Sequence, residues 1–113
     1  MSLPSIKTLA SVFGDDAKQA RKIMEMSRTE LEQTVVGAAR IAECYHAPKT
    51  YDVRLTVLNA LGHSYGVEGM EDTDGNWLTY LNTGDLYNPT IWYYRGKYSV
   101  GCLGSFIERR NFK

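Results

Sequence analysis

No stretch of this chain approaches the ~20 consecutive apolar residues that a membrane-spanning helix requires, so no membrane partner is expected. Neither sign of charge prevails: thirteen basic residues meet thirteen acidic ones, for a formal net charge of zero. That balance removes the whole-molecule attraction that phosphate-tracking proteins exploit, and it argues equally against an acidic mimic of DNA. Histidine and cysteine are scarce, with two of each. Met1 to Phe13 hold neither the apolar run nor the basic start of a secretory signal, so Cys44 and Cys102 are expected to be reduced and the protein cytoplasmic. A Gly-rich phosphate loop, a nucleophile elbow and a metalloprotease helix are all missing. So are internal repeats, low-complexity tracts and blocks of like charge. No cofactor is expected.

What is present is ordinary globular sequence. A chain of 113 residues, 43% of them hydrophobic, predicts a single domain spanning residues 1–113 with a real core. At this size much apolar surface stays exposed, and a homodimer is one way of covering it.

The pattern divides the chain into a helical half, about residues 5–65, and a β half, about 66–104. Ile6, Leu9, Ala10 and Phe13 recur at helical spacing between Ser5 and Gly14, and Ala17, Ala20, Ile23 and Met24 form a second stripe. Ser27 with Glu30, and Thr29 with Glu32, both have capping-box spacing for a third helix. Its predicted face is Leu31, Val35, Ala38, Ala42 and Tyr45, ending before Pro48. Tyr51 to Leu61 alternates like a strand over its first half, yet Tyr51, Leu55, Leu58 and Gly62 keep a helical step; a helix is expected. From Gly66 the texture changes. Val67 to Glu71 and Trp77 to Leu81 flank an Asp-Gly turn, Thr90 to Tyr94 and Tyr98 to Cys102 flank Arg95-Gly96-Lys97, and a short helix over 105–110 follows. The expected class is α+β, with N-terminal helices packed on one face of a small antiparallel sheet of two hairpins.

Few residues suggest catalysis. Cys44 and His46 are neighbours, but side chains two apart on a helix diverge, and a buried thiol beside a helix-terminal histidine is the plainer reading. Zinc would need Cys44, His46, His63 and Cys102 together, without any pair at finger-like spacing; no metal is expected. Glu68, Glu71, Asp72, Asp74 and Asp85 offer paired carboxylates for acid–base work, although aspartates in Asp72-Thr73-Asp74-Gly75-Asn76 serve turns equally well.

The second hairpin is richer. Trp92, Tyr93, Tyr94, Arg95, Lys97 and Tyr98 interleave flat rings with cations, which suits stacking on unpaired bases and suits a protein interface, where Trp, Tyr and Arg are the usual anchors. Strand propensity alone also accounts for the aromatics, which would then alternate between core and surface.

Gly66-Val67-Glu68, followed by Tyr80-Leu81-Asn82-Thr83-Gly84-Asp85-Leu86-Tyr87-Asn88-Pro89-Thr90, resembles a pattern in short proteins of phages and mobile elements. That pattern reads GVE, then YxNTGDxYxxT, then a hairpin and a closing GDxxE. The likeness covers residues 66–108, with Ser105 standing where the closing segment has Asp before Glu108. It implies a genomic setting, that of accessory proteins which bind and redirect host proteins, defence complexes among them. Glu68, Tyr80, Asn82, Thr83, Gly84, Asp85 and Tyr87 become a candidate site by this likeness. Read from the residues alone, Asn82 to Asp85 is equally a tight turn that aims Tyr80, Tyr87 and Thr90.

The leading expectation is an accessory protein that binds a host protein through the hairpin and inhibits a defence component. A single-stranded nucleic-acid-binding module using the same residues is the alternative. A small hydrolase built on Glu68, Asp85 or Cys44 is a third class.

Overall fold

The computed structural model describes residues 3–44, 52–59, 66–110 and 112. Helix α1 (Ile6–Phe13) starts where the Ser5 Oγ accepts the Thr8 amide at 3.1 Å and ends at Gly14, whose φ of 57° few side chains tolerate. A 3₁₀ turn over Gly14–Asp16 leads into α2 (Ala17–Glu25), which buries the expected Ala17, Ala20, Ile23 and Met24.

The third expected helix is two. Ser27 caps α3 (Arg28–Glu32) through the Glu30 amide, 3.1 Å away. The helix then breaks at Thr34. Its hydroxyl donates to the Leu31 carbonyl at 2.8 Å and accepts the Gly37 amide at 2.9 Å, which starts α4 (Val35–Glu43) afresh. A side-chain oxygen thus replaces one turn of the backbone ladder. The break rotates the face read from spacing. Leu31 is buried, but Val35 is 88% exposed, and Ala38 and Ala42 also face solvent, whereas Gly37 is buried and Ile41 half-buried. Tyr45, His46 and Pro48 lie outside the described residues.

Helix α5 (Val53–Asn59) is the segment that alternation marked as a strand and helical spacing as a helix; it buries Val53, Leu55, Val57 and Leu58. The ends of that expectation, Thr50, Tyr51, Leu61 and Gly62, and also His63, lie outside the described residues.

Four strands follow, β1 (Gly66–Glu71), β2 (Trp77–Asn82), β3 (Thr90–Tyr94) and β4 (Lys97–Gly101), in an antiparallel meander of order β1-β2-β3-β4. The two expected hairpins are therefore joined by β2–β3 pairing, with Tyr80 opposite Trp92. Helix α6 (Leu103–Glu108) closes the chain two residues earlier than expected at both ends.

Strand alternation sorts side chains onto two faces. Leu81, Ile91 and Tyr98, with half-buried Val67, Tyr93 and Val100, pack against the N-terminal helices. Leu78, Tyr80 and Trp92 form a second core with Leu103, flanked by Met70, Tyr94, Phe106, Ile107 and Phe112. So α1 to α5 cover one face of the sheet and α6 lies on the other. Asp72 forms a β-bridge with Phe112, which brings the end of the chain to the β1–β2 turn. No helix among the described residues is long and apolar enough to cross a membrane.

Candidate functional site

In a meander, alternate turns lie at the same end. The β1–β2 turn at 72–76 and the β3–β4 turn at Arg95-Gly96 therefore share one end of the sheet, while the β2–β3 loop at 83–89 lies at the other. Helix α6 spans the two: Gly104 donates its amide to the Leu86 carbonyl at 2.9 Å, and Arg109 and Arg110 reach the turn end. The two groups of candidate residues thus extend toward opposite ends of the sheet and meet where Tyr80 pairs with Trp92.

At the turn end a cleft of about 540 Å³ opens between the hairpin turns and α6. Trp92, Tyr94 and Phe106 line its apolar side, Ser99, Asp72 and Asp74 add polar groups, and Arg95, Lys97, Arg109 and Arg110 supply cations. Five basic residues follow Gly66, namely these four and Lys113, so the cations of the β half gather here.

The rings brace one another. Trp92 and Phe106 have centroids 5.0 Å apart, Tyr94 meets Phe106 edge-on at 5.6 Å, and the Arg110 guanidinium lies 3.9 Å above the Phe106 ring. Asp72 is the polar anchor. One carboxylate oxygen accepts the amides of Asp74 and Asn76 at 2.9 and 2.8 Å; the other accepts the Asn76 side chain at 3.2 Å and the Tyr94 hydroxyl. The Tyr94 hydroxyl, with the Asn76 and Asp74 donors behind it, holds this carboxyl at about 2, and the same bond pushes the Tyr94 hydroxyl up.

Arg95 caps the rim. It is the one non-glycine residue at positive φ, 51°, among the described residues, and with Gly96 at 80° it makes the tight turn that joins β3 to β4. Its guanidinium lies 5.3 Å from the Tyr94 ring centre, 3.5 Å from Asp74 and 3.8 Å from Asp72.

The sheet separates the predicted hairpin residues. Trp92, Tyr94, Arg95 and Lys97 belong to the cleft, whereas Tyr93 and Tyr98 face the N-terminal helices, their rings 4.9 Å apart. Tyr98 is only 2% exposed; burial, and then the Asp52 carboxylate, push its hydroxyl well above the usual tyrosine value. Sequence reading missed Asp72, Ser99, Phe106, Arg109 and Arg110 as members of one site. The adjacent Arg109 and Arg110 were its available signal.

The residues of the phage-like pattern form a separate network. Glu68 accepts the Tyr80 hydroxyl and the Asn82 side-chain amide, both at 3.0 Å. Burial, then this carboxylate, raise the Tyr80 hydroxyl to about 12. Asn82 accepts the Gly84 amide at 2.9 Å, Gly84 takes φ 93°, Asp85 accepts the Tyr87 amide at 2.9 Å, and the Thr83 hydroxyl reaches the Asp85 carbonyl at 3.5 Å. Tyr87 lies over Gly104, where a Cβ would come within 2.8 Å of its ring, and its hydroxyl donates to Glu108. Glu68 thus ties β1 to β2, while Tyr87 clamps the β2–β3 loop to α6, and Asx-type turns give the loop its shape.

Cys102 begins α6 with its thiol 3.2 Å from the Ser105 hydroxyl; that bond, then the Ser105 and Gly104 amides, lower its pKa. Cys44 lies 3.4 Å from the Thr56 hydroxyl. Among the described residues no three His, Cys, Asp or Glu side chains are grouped to hold a metal ion. No protein family, no curated protein and no solved structure matches the chain.

Proposed function

We propose that this is a phage-type or mobile-element accessory protein that acts in the cytoplasm by binding a host protein, with the cleft between the hairpin turns and α6 as its contact surface. Inhibition of a defence component is the use the phage-like pattern suggests for such binding. The observation that carries the reading is the gathering of Arg95, Lys97, Arg109 and Arg110 around the Trp92–Phe106 pair on a molecule of zero net charge. Arg and aromatic side chains in a concave site are what interface anchors require.

A single-stranded nucleic acid is the second reading, favoured by the same cations. Stacking on bases needs open ring faces. Here Trp92 is 6% exposed and Phe106 lies between Trp92 and Arg110. Asp72 and Asp74 also line the cleft, where carboxylates repel phosphate groups. Both features count against base stacking and phosphate tracking.

Affinity capture from a bacterial lysate tests the choice, using the native protein, a Lys97→Glu/Arg109→Glu variant and a Lys18→Glu/Lys22→Glu variant of α2. The reading expects a stoichiometric host protein held by the native and α2 variants and lost by the cleft variant. Equal capture by all three overturns it. Tight binding of oligothymidylate that weakens steeply with salt, without a captured protein, transfers the cleft to nucleic acid.

A further inference from the structure

Two carboxylates stand at the cleft, and they are held in different ways. Asp72 is committed to its turn, with both oxygens filled by Asp74, Asn76 and Tyr94, and Arg95 stands off at 3.8 Å from one of them. Asp74 is not. Its side chain is 74% exposed, and among the described residues its carboxylate meets Arg95, itself 56% exposed, at 3.5 Å. A solvated pair of this kind opens at little cost.

Resting on the proposal that the cleft is the partner surface, we infer that it receives an acidic segment of the partner protein, and that Asp74 is a built-in competitor which occupies Arg95 until a partner carboxylate displaces it. Charge complementarity selects the occupant. Arg95, Lys97, Arg109 and Arg110 outnumber the two aspartates, and Arg95 already holds a carboxylate beside a ring face. Arg95 takes a left-handed backbone, at a conformational cost for a non-glycine residue, in the turn that borders the cleft. Arg95 already meets the carboxylates of Asp74 and Asp72 at 3.5 and 3.8 Å, and a segment carrying Asp or Glu side chains presents the same planar group to it.

Competition of this kind weakens apparent affinity by the fraction of molecules in which Arg95 is free. Removing Asp74 therefore tightens binding about two- to fivefold, the range that an exposed ion pair can hold back.

Fluorescence polarisation with the full chain and a short labelled peptide alternating glutamate and leucine reads this directly. The expected result is a tighter complex for Asp74→Asn, a weaker one for Arg95→Gln, and no gain from Asp74→Asn in the Arg95→Gln background, with melting temperatures alike for the native protein and Asp74→Asn. Unchanged or weaker binding by Asp74→Asn, while Lys97→Ala and Arg109→Ala still weaken the peptide, overturns the competitor and leaves the cleft as a partner surface. Inorganic phosphate displacing the peptide better than chloride at equal ionic strength overturns the carboxylate preference. A peptide that does not bind, or whose binding ignores every cleft variant, overturns the inference; lysate capture lost in the Lys97→Glu/Arg109→Glu variant then shows whether the underlying reading survives.

Discussion

The Arg54 side chain places its Nε 3.0 Å from the Asp52 carboxylate, in a pair only 18% and 2% exposed. The same guanidinium donates to the Met24 and Met26 carbonyls at 3.4 Å and lies 5.6 and 5.3 Å from the Tyr93 and Tyr98 ring centres. One cation thus ties the end of α2, the start of α5 and the helix-covered face of the sheet. Removing one partner of a buried pair strands the other. Arg54→Met is expected to cost about 3–5 kcal/mol in urea unfolding, and Asp52→Asn in the same chain to recover part of that loss.

The corner between α3 and α4 depends on a missing side chain. A Cβ on Gly37 would lie 2.0 Å from the Leu31 carbonyl oxygen and 2.5 Å from the Thr34 hydroxyl. Gly37→Ala is expected to destabilise by about 1–3 kcal/mol, measured by thermal unfolding. Gly66→Ala, where a Cβ meets nothing within 4 Å, is expected to change little by the same measurement.

That corner also shows where sequence reading stops. Helix α1 was legible because cap, stripe and terminator agree, α2 from its apolar stripe, and the strands because turn residues bracket alternating runs. Leu31, Val35, Ala38 and Ala42 have faultless helical spacing, yet Thr34 satisfies local backbone groups with its hydroxyl and cancels the register. The cleft was half legible. Trp92, Tyr94, Arg95 and Lys97 stand out by residue type, but Phe106, Arg109 and Arg110 join them only because α6 lies on the sheet face opposite the other helices. Nor does a run of aromatics reveal that the sheet assigns Tyr93 and Tyr98 to the far side.

The Asp72 carboxyl gives an acid dependence of known sign. Its pKa falls from 3.8 to about 2 in the folded protein, so its stabilisation is complete above the unfolded value and is lost as pH drops from about 4 through 2. Tyr94→Phe removes the largest cause of the shift and is expected to shrink the stability lost across that window, read from denaturation midpoints at successive pH values.

Glu68 separates architecture from partner contact. Glu68→Ala leaves the buried Tyr80 hydroxyl without its acceptor, an expected cost of about 1–3 kcal/mol. Lysate capture through the cleft, which Glu68 does not line, is expected to persist at temperatures where this variant stays folded. Loss of capture from a folded Glu68→Ala protein would move the contact surface to the β2–β3 loop.

The most direct test places a photo-crosslinking phenylalanine analogue at Thr73, an exposed cleft-lining position without charge, or at Val35 on α4, and irradiates each protein in a bacterial lysate. The expected result is a discrete covalent adduct with one host protein from position 73, abolished by Lys97→Glu/Arg109→Glu, and no such adduct from position 35. A host adduct from position 35 with none from position 73 would contradict it.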